Sequence, residues 1–312
     1  MIIKLKMVRV YLAITIDTEP DCSVSWRRSN PLTFHSVLMG IPQRLQPLFV
    51  DFEAKPTYLI SQEVLENWEC IEVLNSLEGD YELGTHLHGE YVEPEKRYYN
   101  YAGTKAVDFA CFDYNKDLEM AKLLNLTNIF KERMGTGPVS YRAGRFGADE
   151  ETIQILEKLG YLIDSSVTPH ISWKNKGGPD FTHCPEQPYH PDVKNICRPG
   201  NSKIVEVPVS IGRKKFFLLP SFWFFYSWLR PSVNSTKGMI DLIEYFIEKY
   251  HNSKSIVLNM VFHSMEVIPK ASPYTRTDKD VDRFISKLRD VLDYCNKNGV
   301  VFTELKDIRS VI

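Results

Sequence analysis

The chain has 312 residues, 43% of them hydrophobic and 25% charged, a balance that excludes intrinsic disorder as the main state. Its 38 basic and 40 acidic residues leave a formal net charge of -2, so the strongly basic profile of a nucleic-acid binder is missing. The 6 cysteines form no CxxC pair and follow no regular spacing, which excludes a zinc finger or a disulfide scaffold as the organising device.

Lys4, Lys6 and Arg9 precede an apolar run at 10–16 that leads straight into Asp17, Glu19 and Asp21. No small-residue cleavage site separates them, so the run reads as a first strand, over 8–16, and not as a leader. A helix is expected within 34–52 and a second strand at 56–60. Leu65, Trp68 and Ile71 then mark a helix face by their three-residue spacing. A short third strand falls at 81–84. Residues 115–134 form a helix stopped by Gly135, Gly137 and Pro138. A strand at 139–141 precedes a helix at 149–159, with Gly160 in the stop position, and further strands fall at 161–163 and 204–210.

Ile240, Ile243, Phe246, Ile247 and Tyr250 line one helix face. The nearly continuous apolar run at 256–262 suits a strand covered on both sides. Val281, Phe284, Leu288 and Val291 belong to a last apolar stripe, with Thr277 and Asp280 spaced to cap its helix, before a short strand at 300–303. Strands alternating with helices imply parallel βαβ units. The expected fold is therefore α/β, a distorted (β/α) barrel of about seven parallel strands, with a doubly wound sheet as the alternative. One domain over 1–312 is expected, with long loops near 91–113 and 170–202. No uncharged apolar run reaches the roughly 20 residues needed to cross a bilayer. A cytoplasmic protein with reduced cysteines is expected.

Polar residues collect just after the expected strands. Asp17 and Glu19 follow the first, His86 and His88 the third, and Arg142 and Arg145 the next. Asp164, Ser165 and Ser166 come after 161–163, and His263, Ser264 and Glu266 after 256–262. In barrels and open α/β sheets this carboxyl edge is where sites assemble. In an extended segment His86 and His88 point the same way. Two imidazoles and one carboxylate make a three-ligand divalent-metal site with open positions, the catalytic form. Glu19 is the expected third ligand, with Asp21 and Glu90 competing. Asp17, ionised at the end of an apolar strand, needs a partner such as Arg142 and suits a general base. His263 suits a general acid, its ring held by Asp164.

These clusters, in this order, resemble the polysaccharide deacetylase superfamily, the NodB-like carbohydrate esterases. The resemblance spans Thr15 to Tyr274. Thr15-Ile16-Asp17-Thr18-Glu19 resembles the family's opening Thr-Phe-Asp-Asp-Gly, which implies that Asp17 is the base. His86-Leu87-His88 resembles the histidine motif, Arg142-Ala143-Gly144-Arg145-Phe146-Gly147 the arginine motif, and Val261-Phe262-His263 the motif of the acid histidine. Ser272-Pro273-Tyr274 is similar to a subgroup associated with bacterial surface polysaccharides. Thr18 stands where the family has a second Asp ligand, and Glu90 where it has its second histidine. The resemblance implies a divalent metal, zinc in most members, on Glu19, His86 and His88. It also implies removal of an N-acetyl group from an amino sugar in a polysaccharide or glycolipid. Hydrolysis of a non-sugar cyclic amide and a non-catalytic sugar-binding barrel are the alternatives.

The aromatic stretch 216–229, flanked by Arg213, Lys214, Lys215 and Arg230, reads as a sugar-stacking wall or a peripheral membrane contact, against a core or oligomer segment. Trp26, Trp173 and the tyrosines at 98–101 are candidates for a sugar groove. His170, His183, His190, Cys184 and Cys197 share one stretch, read as a mobile lid with a second metal site as the sharper alternative.

Overall fold

The computed structural model describes residues 8–96, 115–215 and 224–312. Lys4, Lys6, the tyrosines at 98–101 with the rest of the first loop from 97 on, and 216–223 of the aromatic stretch lie outside that set.

In chain order the strands are β1 (Arg9–Thr18), β2 (Pro56–Ile60), β3 (Glu82–Leu87), β4 (Ser140–Ala143), β5 (Ile163–Asp164), β6 (Pro191–Asp192), β7 (Asn195–Pro199), β8 (Val205–Glu206), β9 (Ile211–Lys215), β10 (Phe224–Trp228), β11 (Ser255–His263) and β12 (Val301–Thr303). A helical stretch Ser36–Leu45 runs into α1 (Gln46–Asp51). It is followed by α2 (Gln62–Leu65), α3 (Trp68–Asn75), α4 (Lys116–Met134), α5 (Glu150–Leu159), α6 (Thr236–Lys249) and α7 (Asp278–Lys297). Thr277 and Asp280 form the reciprocal cap of α7 as their spacing implies, and α5 ends at Gly160 with φ 88, a backbone that glycine adopts without strain.

Seven parallel strands run in the order β11-β1-β2-β3-β4-β5-β8, and β12 makes an eighth beside β1. β11 covers one edge of β1 from Arg9 to Asp17, while β12 and β2 divide the other. The two ends of the series approach each other through Asn259: its N–H donates to Ser210 Oγ at 2.8 Å and its carbonyl accepts from Ser210 N–H at 3.0 Å. The sheet thus curls into the distorted barrel, and the doubly wound alternative is not what forms.

The pleat decides what reaches the interior. On β1, Leu12, Ile14 and Ile16 face the helices and join the main core, while Ala13 joins an inner cluster with Leu59, Ile163, Val205 and Val257. Stepping by two from Ala13 gives Thr15 and then Asp17, so that face turns polar as it reaches the carboxyl edge. Gly84 on β3 allows close packing, since a Cβ there would sit 2.7 Å from the Ser140 carbonyl oxygen.

Residues 170–202 contain regular structure. β6 and β7 form an antiparallel pair, and Cys184 and Cys197 are joined by a disulfide. This corrects the expectation of reduced cysteines for that pair and removes both thiols from any metal site. His170 Nε2 instead meets Glu186 at 2.7 Å, and His190 Nδ1 donates to a carbonyl, that of Ser202 at 2.9 Å or of Ile204 at 3.0 Å. Among the described residues, no helix is long and apolar enough to cross a membrane.

Candidate active site

The strand ends run further than hydrophobicity suggests, and the extra residues are the candidate site residues. Asp17 lies within β1, His86 within β3, Arg142 within β4 and His263 at the end of β11. Asp17 and His263 are register partners, as are His86 and Arg142. Asp17, Glu19, His86, His88 and His263 thereby line one cavity of about 450 Å³ at the carboxyl edge.

Arg142 is fully buried and organises the floor. It donates to Asp17 Oδ1 at 2.8 Å, to Thr15 Oγ1 at 2.7 Å, and to the Ser165 carbonyl and Oγ at 2.7 and 2.8 Å. Burial pushes the Asp17 carboxyl up, but Arg142, His86 and His263 outweigh it and hold it below its ordinary value. Asp17 is therefore an anion with one oxygen occupied and Oδ2 turned toward His263 Nε2, 3.8 Å away.

The ring of His263 is held from behind. Its Nδ1 lies 3.0 Å from Glu266 Oε1, and Glu266 in turn accepts from Arg230 at 2.6 Å. Burial opposes ionisation of Glu266, yet Arg230 and His263 lower its carboxyl to about 2. The expectation that Asp164 holds this ring is corrected. Ile163 and Ser165 face inward, so the pleat turns Asp164 to the opposite side, where Oδ1 accepts from Ser166 Oγ at 2.6 Å. Its strand neighbour there is Glu206, also fully buried. Desolvation pushes both carboxyls up; Asp164 raises Glu206 further, while the hydrogen bond from Glu206 offsets part of the rise at Asp164.

Glu19, His86 and His88 bring one ligand atom each within 4.8 Å of one another. Glu19 Oε1 is 3.3 Å from His86 Nε2, and Oε2 is 3.3 Å from His88 Nε2. His86 Nδ1 donates to the Arg142 carbonyl at 3.0 Å, which fixes its tautomer and aims Nε2 at the cluster. Burial would raise the Glu19 carboxyl, but His88 and His86 hold it well below the usual range. Two imidazole nitrogens and a carboxylate oxygen within 4.8 Å of one another could hold a divalent metal.

The two competing carboxylates are used elsewhere. Asp21 accepts from the backbone N–H groups of His35 and Ser36 at 2.7 and 3.0 Å, capping the helical stretch that starts there. Glu90 pairs with Arg145 at 2.7 Å and stands 3.6 Å behind His88 Nδ1. Arg28, which no motif marks, reaches Glu19 at 3.1 Å, pairs with Glu63 and lies 3.7 Å over the Tyr91 ring.

No family model matches the sequence, and no curated protein matches it. Solved structures match its fold. A protein from Parabacteroides distasonis assigned as a glycoside hydrolase/deacetylase superposes with a TM-score of 0.65 at 14% identity, over 98% of this chain and 71% of that one. One from Mycobacterium smegmatis, assigned as a polysaccharide deacetylase, gives 0.56 at 16% identity over 97% and 90%. The fold is that of the polysaccharide deacetylases. The same fold also matches the Puue allantoinase, with a TM-score of 0.54 at 12% identity over 99% of this chain and 91% of that one. Within this fold, the expected Asp17, Arg142, His263, Glu19, His86 and His88 gather at one mouth; Glu90 also lines the cavity but is paired with Arg145 behind His88, and Asp164 and Asp21 do not line it. The sequence reading placed Glu266 in the cluster after 256–262 and Arg230 beside the aromatic stretch without giving either this role, and it did not mark Arg28. Only Glu266 left a usable signal, its three-residue offset from His263.

Proposed function

We propose that this chain is a hydrolase that removes an N-acetyl group from an amino sugar in a polysaccharide or glycolipid, acting as one catalytic unit over 1–312. The observation that carries the reading is the convergence of an ionised Asp17, a buttressed His263 and a Glu-His-His donor set in a single cavity. Glu19, His86 and His88 would hold the metal, zinc by the donor chemistry, which supplies Lewis acidity to the acetyl oxygen and its water. Asp17 takes the proton of the attacking water at Oδ2, since Oδ1 is engaged by Arg142. His263 delivers a proton from Nε2 to the departing amine, its other nitrogen being fixed by Glu266. The carbon–nitrogen bond breaks, and acetate and a free amino sugar leave.

The cytoplasmic setting was expected from the want of a leader-like or membrane-spanning run in the sequence, and the Cys184–Cys197 disulfide weighs against its corollary of reduced cysteines. The likeness to the Puue allantoinase favours one second reading, hydrolysis of a cyclic amide in the same cavity. Purified protein assayed for bound zinc and for acetate release from N-acetylated oligosaccharides, beside a panel of cyclic ureides, decides between them. Release of acetate supports the proposal; ring opening of a ureide without acetate release replaces it with the second reading.

A further inference from the structure

The hairpin after Glu19 carries backbone strain at the cavity mouth. Ser23 N–H donates to the Arg27 carbonyl at 2.6 Å and Trp26 N–H to the Ser23 carbonyl at 3.0 Å, while Cys22 and Arg28 form an antiparallel bridge. This is a three-residue hairpin loop, whose last position needs a left-handed backbone and ordinarily takes glycine. Here that position is Trp26, with φ 57. A bulky residue on such a backbone is an outlier, and the strain persists only where the surroundings impose it. They do so: Arg28 anchors the hairpin to Glu19 and Glu63, and Cys22 N–H donates to the Ala271 carbonyl at 3.2 Å.

What the strain achieves is placement. The indole lies 5.0 Å from the His263 ring and 5.7 Å from the Tyr274 ring, on the cavity wall and still 40% exposed. The exposed part of that apolar face lies open to the cavity beside His263. Next to it, Arg27 lines the same cavity and is exposed. Arg28, Arg142, Arg145 and Arg230 are each matched by a carboxylate in the pairs given above, whereas Arg27 makes no ion pair among the described residues.

We infer that Trp26 and Arg27 form the leaving-group subsite of an acidic glycan: the indole stacks on the pyranose ring whose nitrogen departs at His263, and Arg27 pairs with a carboxylate or phosphate on the same glycan. The inference deepens the amide-hydrolysis reading and rests on it for the identity of the departing ring. Stacking on an aromatic face and a charge-assisted pair to a guanidinium are the two contacts this geometry offers.

Calorimetry with three probes tests it: a tetramer of N-acetylglucosamine, a tetrasaccharide alternating N-acetylglucosamine with glucuronate, and N-acetylglucosamine 1-phosphate. Acetate release is read on the same samples. The wild-type protein is expected to bind at least one acidic probe about tenfold more tightly than the neutral tetramer, and Arg27→Gln to abolish that preference while changing neutral binding less than about twofold. Trp26→Ala should weaken all three, with Trp26→Phe restoring most of the loss and controlling for folding. The two acidic probes separate a carboxylate from a phosphate. Equal binding of acidic and neutral probes, a preference that survives Arg27→Gln, or binding of none overturns the inference. Arg27-dependent binding without acetate release from any probe leaves the subsite standing and removes the hydrolytic reading. Acetate release with no Arg27 dependence does the reverse.

Discussion

Asp17 and His263 face each other as register partners at the ends of β1 and β11, with Oδ2 and Nε2 3.8 Å apart. That gap is too long for a hydrogen bond between them. Each group is anchored on its far atom, Asp17 by Arg142 and His263 by Glu266. The near atoms are left to the reacting molecules. Asp17→Asn and His263→Ala are each expected to lower acetate release by about 10²–10⁴-fold, the usual worth of a positioned acid or base. Circular dichroism should show the fold retained in both. Activity within a factor of a few of wild type in either variant would dismiss its role.

Glu266 and Asp164 make a discriminating pair. Glu266 bonds the ring nitrogen that does no chemistry, so Glu266→Gln should lower kcat by about 10–100-fold, the range seen for residues that orient a functional histidine or ligand. Asp164 lies across the sheet from the cavity, so Asp164→Asn should leave kcat within about threefold. A reversed order would restore Asp164 as the holder of the ring and refute the pleat argument.

The donor set gives a prediction that needs no turnover. Zinc titration of the metal-free protein against a chromogenic chelator should show Glu19→Gln and His86→Ala each losing more than about 100-fold in affinity. Glu90→Gln should lose only about tenfold, because Glu90 stands behind His88 and not among the donors. Wild-type affinity in Glu19→Gln would mean that another carboxylate serves.

Strand and helix order was readable because apolar runs and helical periods survive in the sequence. The exact strand ends were not. Asp17, His86 and His263 are polar, so they read as the start of loops, yet the ladders extend through them. The same blindness explains Asp164: a cluster of polar residues after a strand suggests proximity to the mouth, but only the parity of the pleat says which one turns inward. Here it is Ser165. Arg28 was illegible for another reason. It sits in a hairpin whose course depends on contacts to Glu63 and Tyr91, far along the chain, and nothing in its local sequence announces burial. The Cys184–Cys197 pair was missed because spacing alone fixes no connectivity.

That disulfide closes a stretch with a sequence separation of 13 and ties down the only long segment between β5 and β8. Restricting the unfolded chain by a loop of this size is worth about 3 kcal/mol. Reduction with dithiothreitol should therefore lower Tm by several degrees, and Cys184→Ala by a similar amount, at about 2–4 °C per kcal/mol for a chain of some 150–250 residues and less for a longer one. Non-reducing mass spectrometry checks the bond itself. A Tm indifferent to reductant would show that the segment is held by its hydrogen bonds alone.

The buried pair Asp164 and Glu206 sets the sign of a pH dependence. Burial raises both carboxyls, Glu206 well above its ordinary value, so the folded protein retains a proton that the unfolded chain gives up in the usual carboxylate range. The folded state then binds more protons than the unfolded one, and stability falls as the pH rises from that range toward the folded value. While one proton is retained the slope is about 1.4 kcal/mol per pH unit. Glu119, raised to about 7, and Glu82, raised to about 6, act in the same direction, so the wild-type curve alone does not isolate the pair. The difference from Glu206→Gln does. The amide cannot ionise, so the variant should lose stability less steeply between pH 4 and 8 and gain on the wild type toward the alkaline end. Thermal melts of both proteins across that range are the measurement. Parallel curves would mean that both carboxylates are already ionised in the fold, and the retained proton would have to be abandoned.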